Sequence, residues 1–151
     1  MIQIGAYSIV RADIRDAGFI SPRLCDVQEW EASIEGGIAN LGFCIGASED
    51  AWTFWRDQRA QMILGVVTEG NAMPTTWLIG TDKAQEDAQW LLQDCREFIE
   101  AFFKRWPQTE CFCDERNEAH HRWVRWLGYR EHQRLRLGPQ DRMFINFRKG
   151  L

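Results

Sequence analysis

An α+β (α/β) fold, a single mixed and mostly antiparallel sheet flanked by helices, is predicted for this chain from three observations. Short strand-like runs are interleaved with helix-length amphipathic runs along the whole sequence. From Ala84 to Trp106 apolar residues recur at helical spacing. The C-terminal segment alternates strictly around a Gly-Pro turn, which predicts a β-hairpin. The 151 residues, 45% hydrophobic and 26% charged, suit one globular domain (1–151) and argue against disorder.

The elements follow in order. YSIVRAD reads as a first strand. Pro22 to Ile34 reads as a helix, with Ser21 as N-cap and Pro22 at the first helical position, ended by Gly36-Gly37. IANLGFCIG fits a second short helix. AWTFW (51–55), QMILGVV (61–67) and TTWLIG (75–80) read as three strands, the middle one apolar throughout and so buried on both faces. The long helix follows, with Asp82 and Gln85 spaced as a capping box and Pro107 closing it. TECFC (109–113) is a fifth strand. Asn117 then caps a helix that Gly128 stops. In the hairpin, Tyr129, Glu131, Gln133, Leu135 and Leu137 share one face, against Arg130, His132, Arg134 and Arg136. After the turn GPQD, Met143, Ile145 and Phe147 share a face.

Charge and cysteine content narrow the function classes. Residues 1–100 hold 7 basic and 16 acidic side chains, and residues 101–151 hold 11 and 6. The basic C-terminal half reads as a solvated face, with arginine stems packed over tryptophans, and nucleic acid is not an expected partner. Five cysteines, an odd number without a framework, read as reduced and mostly buried thiols. Cys111 and Cys113 share a strand face seven residues before His120 and His121, yet the second half of a zinc motif is missing and no metal is predicted. No apolar run is long enough to cross a bilayer, and the N-terminus lacks a signal-peptide layout, so the chain is expected in the cytoplasm.

The stretch Asn117–Tyr129, NEAHHRWVRWLGY, resembles a motif of the GNAT acyl-CoA N-acyltransferases, roughly N-x-x-A-x-x-L-Y-x-x-L-G-F. Asn117, Leu127, Gly128 and Tyr129 fall at matching offsets. The runs RAQMILGVV and TTWLIGTD, a long helix ending in Trp-Pro, and N-x-x-H-x-R-W-x-x-W-L-G-Y together look like a GNAT-like group of tailed phages and prophages. Relatives of that group include internal virion proteins of podophages. The likeness covers roughly residues 50–148. It implies a GNAT-like fold with acetyl-CoA as cofactor and an unidentified amine as substrate. Alternatively, it implies a degenerate, virion-associated protein that binds a phage or host protein, a homo-oligomer included.

The resemblance also assigns site residues. The family's strand carries a bulge that exposes backbone to pantetheine, placing Leu78, Ile79 and Gly80 on the cofactor. A glycine-rich loop at the next helix N-terminus receives the pyrophosphate. Lys83 and Ala88 fall at two positions of that loop, Glu86 replaces its first glycine, and Asn117 belongs to the same binding set. The family's helix tyrosine becomes Val124, leaving Tyr129, whose bland reading is core packing. His120, a general acid or base near neutral pH, and Glu69 complete the catalytic candidates. Asp114 and Glu115 are further base candidates at a strand end, and His121 is expected to face solvent.

Overall fold

The computed structural model describes residues 1–151. Eight strands form one sheet: β1 (Ile2–Ile4), β2 (Tyr7–Arg11), β3 (Asp50–Arg56), β4 (Arg59–Val67), β5 (Thr75–Gly80), β6 (Thr109–Asp114), β7 (Arg130–Leu137) and β8 (Arg142–Lys149). Their order is β1-β2-β3-β4-β5-β6-β8-β7. Every neighbouring pair is antiparallel except β5 and β6, which a helical crossover joins in parallel. These two share a single register pair, Thr75↔Glu110, and then diverge. The sheet therefore splays open toward Gly80 and Asp114.

Strand β4 is buried on both faces, as its apolar run predicts. Met62, Leu64 and Val66 join the larger core, which includes Leu78, Ala88, Leu91, Phe98, Trp123 and Phe147. Ile63 faces a smaller cluster with Ile20, Trp30, Leu41, Ile45 and Ile79, under α1 (Leu24–Ser33) and α2 (Leu41–Ala47). Gly65 lies across from Trp77, and a Cβ there would strike the indole ring, so only glycine lets the ring lie flat on β4.

The predicted long helix is a stack of three: α3 (Asp82–Glu86), α4 (Ala88–Asp94) and α5 (Arg96–Arg105). The breaks fall at Asp87 and Cys95, yet helical bonds bridge both, including Asp87 N–H to Lys83 O and Ile99 N–H to Cys95 O. Asp87 is pulled sideways there by Tyr7, Arg56 and Lys83, each within 3.2 Å. Thr81 caps this helix through Ala84 N–H, in place of the predicted Asp82 box. The stack's far end is pinned to β3 by Asp50, which accepts from Trp52, Arg105 and Trp106 at 2.7–2.9 Å.

Four other expectations shift. Helix α1 starts at Leu24, because extended Arg23 donates its N–H to Gly80 O and is held to β5 first. A short β1 precedes the predicted first strand and pairs with it across Gly5. A bulge at His132 breaks the alternation of β7, so Glu131 shares a face with Arg134 and pairs with it at 2.7 Å. Arg134 also reaches Glu115 at 3.4 Å, so acidic groups interrupt the expected arginine face. Finally, His121 is buried: the hairpin covers that flank of α6 (Glu118–Trp126), and its ring lies 5.8 Å from Phe147. Its Nε2–H donates to Asp114 O at 2.8 Å. Burial lowers its pKa, and the ring is neutral in the core.

Candidate functional site

The splay between β5 and β6 leaves strand-edge N–H groups that the sheet itself does not satisfy, and buried amides must find acceptors. Helix α1, on one side of the sheet, supplies them. Asp26 Oδ2 accepts Gly80 N–H at 2.8 Å, and Glu29 Oε1 accepts Asp114 N–H at 2.7 Å. From the other side, α6 meets the same carboxylates through the gap. Asn117 Nδ2–H donates to Asp26 Oδ1 at 2.8 Å, and His120 Nδ1–H donates to Glu29 Oε2 at 2.8 Å. Asn117 also caps α6 through His120 N–H, as its sequence position predicts. Asp26, Glu29, Asn117 and His120 are all under 5% exposed. Arg23, 2% exposed, ion-pairs with Asp26 Oδ2 through Nε at 3.0 Å, and its Nη1 has no hydrogen-bond partner.

Behind His120 lie the two thiols. Its Nε2 is 3.7 Å from Cys111 Sγ, which is 4.0 Å from Cys113 Sγ. Glu29, His120, Cys111 and Cys113 thus form one buried chain through the sheet. The hydrogen bond from Cys113, helped by the His120 charge and opposed by burial, holds the Cys111 thiol well below its ordinary value. Burial pushes Cys113 well above its own. Burial alone would push His120 down, but the Glu29 and Cys111 charges hold it well above the usual imidazole value. Burial raises Glu29, with His120 opposing.

The remaining predicted site residues are scattered. Tyr129 is a core residue: its hydroxyl bonds Thr76 Oγ1 at 2.8 Å and Thr109 Oγ1 at 2.7 Å, tying β5 to β6 where they cross. Burial raises its pKa strongly, so the phenol keeps its proton. Leu78 and Ile79 are buried on opposite faces of β5, and Ala88 is buried against α3–α5's core. Lys83 is exposed and paired with Asp87 at 3.2 Å. Glu69 sits exposed in the β4–β5 turn, at the end of β5 away from Gly80. Asp114 binds Arg116 through its carboxylate at 2.8 Å. Sequence reasoning missed Asp26 and Glu29, which look like the polar face of an ordinary helix.

No protein-family model and no curated protein sequence matches this chain. Solved structures do. The chain superimposes on an aminoglycoside N(6')-acetyltransferase from Legionella pneumophila with a TM-score of 0.69 at 10% identity, covering 99% of this chain and 94% of that one. A ribosomal-protein-S5-alanine acetyltransferase from Vibrio fischeri gives 0.66 at 10% identity, covering 98% and 94%. A probable GNAT-family acetyltransferase from Chromobacterium violaceum gives 0.64 at 17% identity, covering 95% and 87%. This chain has the GNAT acetyltransferase fold. At these identities the likeness extends to the fold and no further.

The residues present do not fit the acyl-CoA arm that the GNAT fold implies. The β4–β5 register is regular from Met62↔Gly80 to Val67↔Thr75, so β5 has no bulge to turn backbone groups toward a ligand. The free edge groups at Gly80 and Asp114 are already bonded to carboxylates, which repel phosphate. Under the resemblance, Glu86 falls at the first glycine of the pyrophosphate loop, where a carboxylate would repel the phosphates. The cavity reaching Glu29 and His120, lined also by Trp30, Thr76, Trp77 and Phe112, holds about 180 Å³. Ligand pockets generally need roughly 300 Å³ or more. No helix is long and apolar enough to cross a membrane.

Proposed function

We propose that this chain is a catalytically degenerate GNAT-fold protein with a structural or protein-binding role, associated with a tailed-phage or prophage virion. One observation carries the reading: Asp26 and Glu29 fill the sheet splay from within and use the backbone N–H groups that a thioester cofactor would need. The phage setting rests on the resemblance of the NEAHHRWVRWLGY stretch and its flanking runs to the GNAT-like proteins of tailed phages. A binding role is supported by Trp126, 56% exposed, at the edge of a surface groove of about 850 Å³ between α5 and α6. Leu92, Ile99, Phe103 and Leu127 in its lining suit apolar side chains of a protein partner, and Arg96, Glu97, Glu100 and Lys104 beside them suit its polar rim. Calorimetric titration with acetyl-CoA and with free CoA tests the proposal. No heat of binding is expected, and micromolar affinity for either would overturn it.

A second reading, acetyl transfer to an amine, is favoured by Arg23, whose guanidinium lies beside Gly80 and whose Nη1 has no hydrogen-bond partner, a donor that suits a phosphate. It requires α1 to swing off the splay, because Arg23 is 2% exposed. Under that reading acetyl-CoA turns over with some member of an amine panel, and His120→Ala slows the reaction.

A further inference from the structure

The thiols at the vertex of the splay stand outside every role assigned above. Cys111 and Cys113 project to one side of β6, and His120 reaches them from the first turn of α6, all three buried. Their ligand atoms lie within 4.8 Å of one another. Tetrahedral zinc, with Zn–S near 2.3 Å and Zn–N near 2.05 Å, sets two sulfurs about 3.8 Å apart and a sulfur and a nitrogen about 3.6 Å apart. The observed separations are 4.0 Å between the sulfurs and 3.7 Å from Cys111 Sγ to His120 Nε2. Two of the three edges thus stand close to those of a coordination tetrahedron, and the third, from Cys113 to His120, lies within 4.8 Å, so a small rotation of Cys113 completes the set.

The orientation of His120 is a second, independent observation. Its Nδ1–H is bound by both Glu29 oxygens, at 2.8 and 3.0 Å, which turns Nε2 toward the sulfurs. A carboxylate behind the imidazole is the usual outer partner of a metal-bound histidine, fixing tautomer and ring direction. Glu29 is held in turn by Asp114 N–H, so the orienting group is itself fixed.

We propose that Cys111, Cys113 and His120 bind one zinc ion, with Glu29 orienting the histidine. Both sulfurs bind as thiolates and His120 through an unprotonated Nε2, so protons leave the cluster on binding, and two thiolates with Zn²⁺ make a neutral centre that an apolar interior accepts. The ion would lock β6 to α6 just where the sheet has lost its ladder, a role independent of whether CoA binds.

The test uses the full chain, purified without a metal-affinity tag, reduced and stripped of metal. Cobalt(II) is titrated in and followed by absorption, and zinc by the thermal midpoint. One cobalt per chain is expected, with thiolate charge-transfer bands and the intense visible bands of a tetrahedral site. Zinc is expected to raise Tm. Cys111→Ser and Cys113→Ser remove the bands, whereas Cys95→Ser and the half-exposed Cys25→Ser and Cys44→Ser keep them. The wild-type titration decides the matter even if the cluster variants fail to fold. No bands and no Tm shift in the reduced wild-type chain would overturn the proposal, as would bands that survive loss of Cys111 and Cys113.

Discussion

A carboxylate that is 4% exposed persists only if its oxygens are met, and Glu29 meets donors from two separate elements: Asp114 N–H at the end of β6 and His120 Nδ1–H on α6. Removing one partner of a buried charged pair costs about 3–5 kcal/mol, because the partner is left uncompensated. Glu29→Ala is therefore expected to lose stability on that scale in urea unfolding. Glu29→Gln retains an acceptor for Asp114 N–H and is expected to lose only about 1–2 kcal/mol. An alanine variant within about 1 kcal/mol of the parent, the range of an ordinary surface change, would show that α1 is not holding the splay closed. Tyr129 works alike without charge: its hydroxyl joins two threonines across the parallel pair, which is why a tyrosine at a strand start is structural here.

Between elements, the tie most open to titration is Asp50, which joins β3 to the end of α5. Burial pushes its pKa up, but donors on Trp106, Arg105 and Trp52 outweigh burial and hold it below the usual carboxylate range. A group with a depressed folded pKa adds stability above its unfolded value, near about 3.9 for Asp. That stability is lost as pH falls through the folded value. Asp50→Asn is thus expected to lower Tm at neutral pH and to lower it much less below about pH 3, in calorimetry across that range. An equal deficit at both pH values would mean packing, not charge, carries the tie. The elements themselves were largely legible: continuous apolar character marked β4, and helical spacing marked the α3–α5 stack. The misplaced details had long-range causes. Arg23 is extended because it bonds Gly80, more than fifty residues on. His121 is buried because the hairpin folds over it. A bulge reverses the faces of β7, and no local propensity announced it.

For the molecule as a whole, the sequence carried one side of the central cluster only. Asn117 and His120 stood out within a motif, while their partners Asp26 and Glu29 lie 91 residues away on a helix with an ordinary polar face. Such pairings arise from topology: α1, which precedes β3, and α6, which follows β6, reach one gap between β5 and β6, and side chains meet through it. The consequence is global, since a closed splay makes the two halves of the sheet one unit and an open one makes them two. Amide hydrogen exchange separates these states, because protection follows the free energy of local opening. With the gap closed, Gly80 and Asp114 N–H are expected to exchange as slowly as the ladder amides of β4, unchanged by added CoA. Asp26→Ala is expected to speed Gly80 more than Asp114, since of the two amides only Gly80 loses its acceptor. Fast exchange at both amides in the wild-type chain would instead mean that α1 swings away readily. Arg23 and the diverging strands would then be open to an anionic ligand, and the acyl-transfer reading would regain its site.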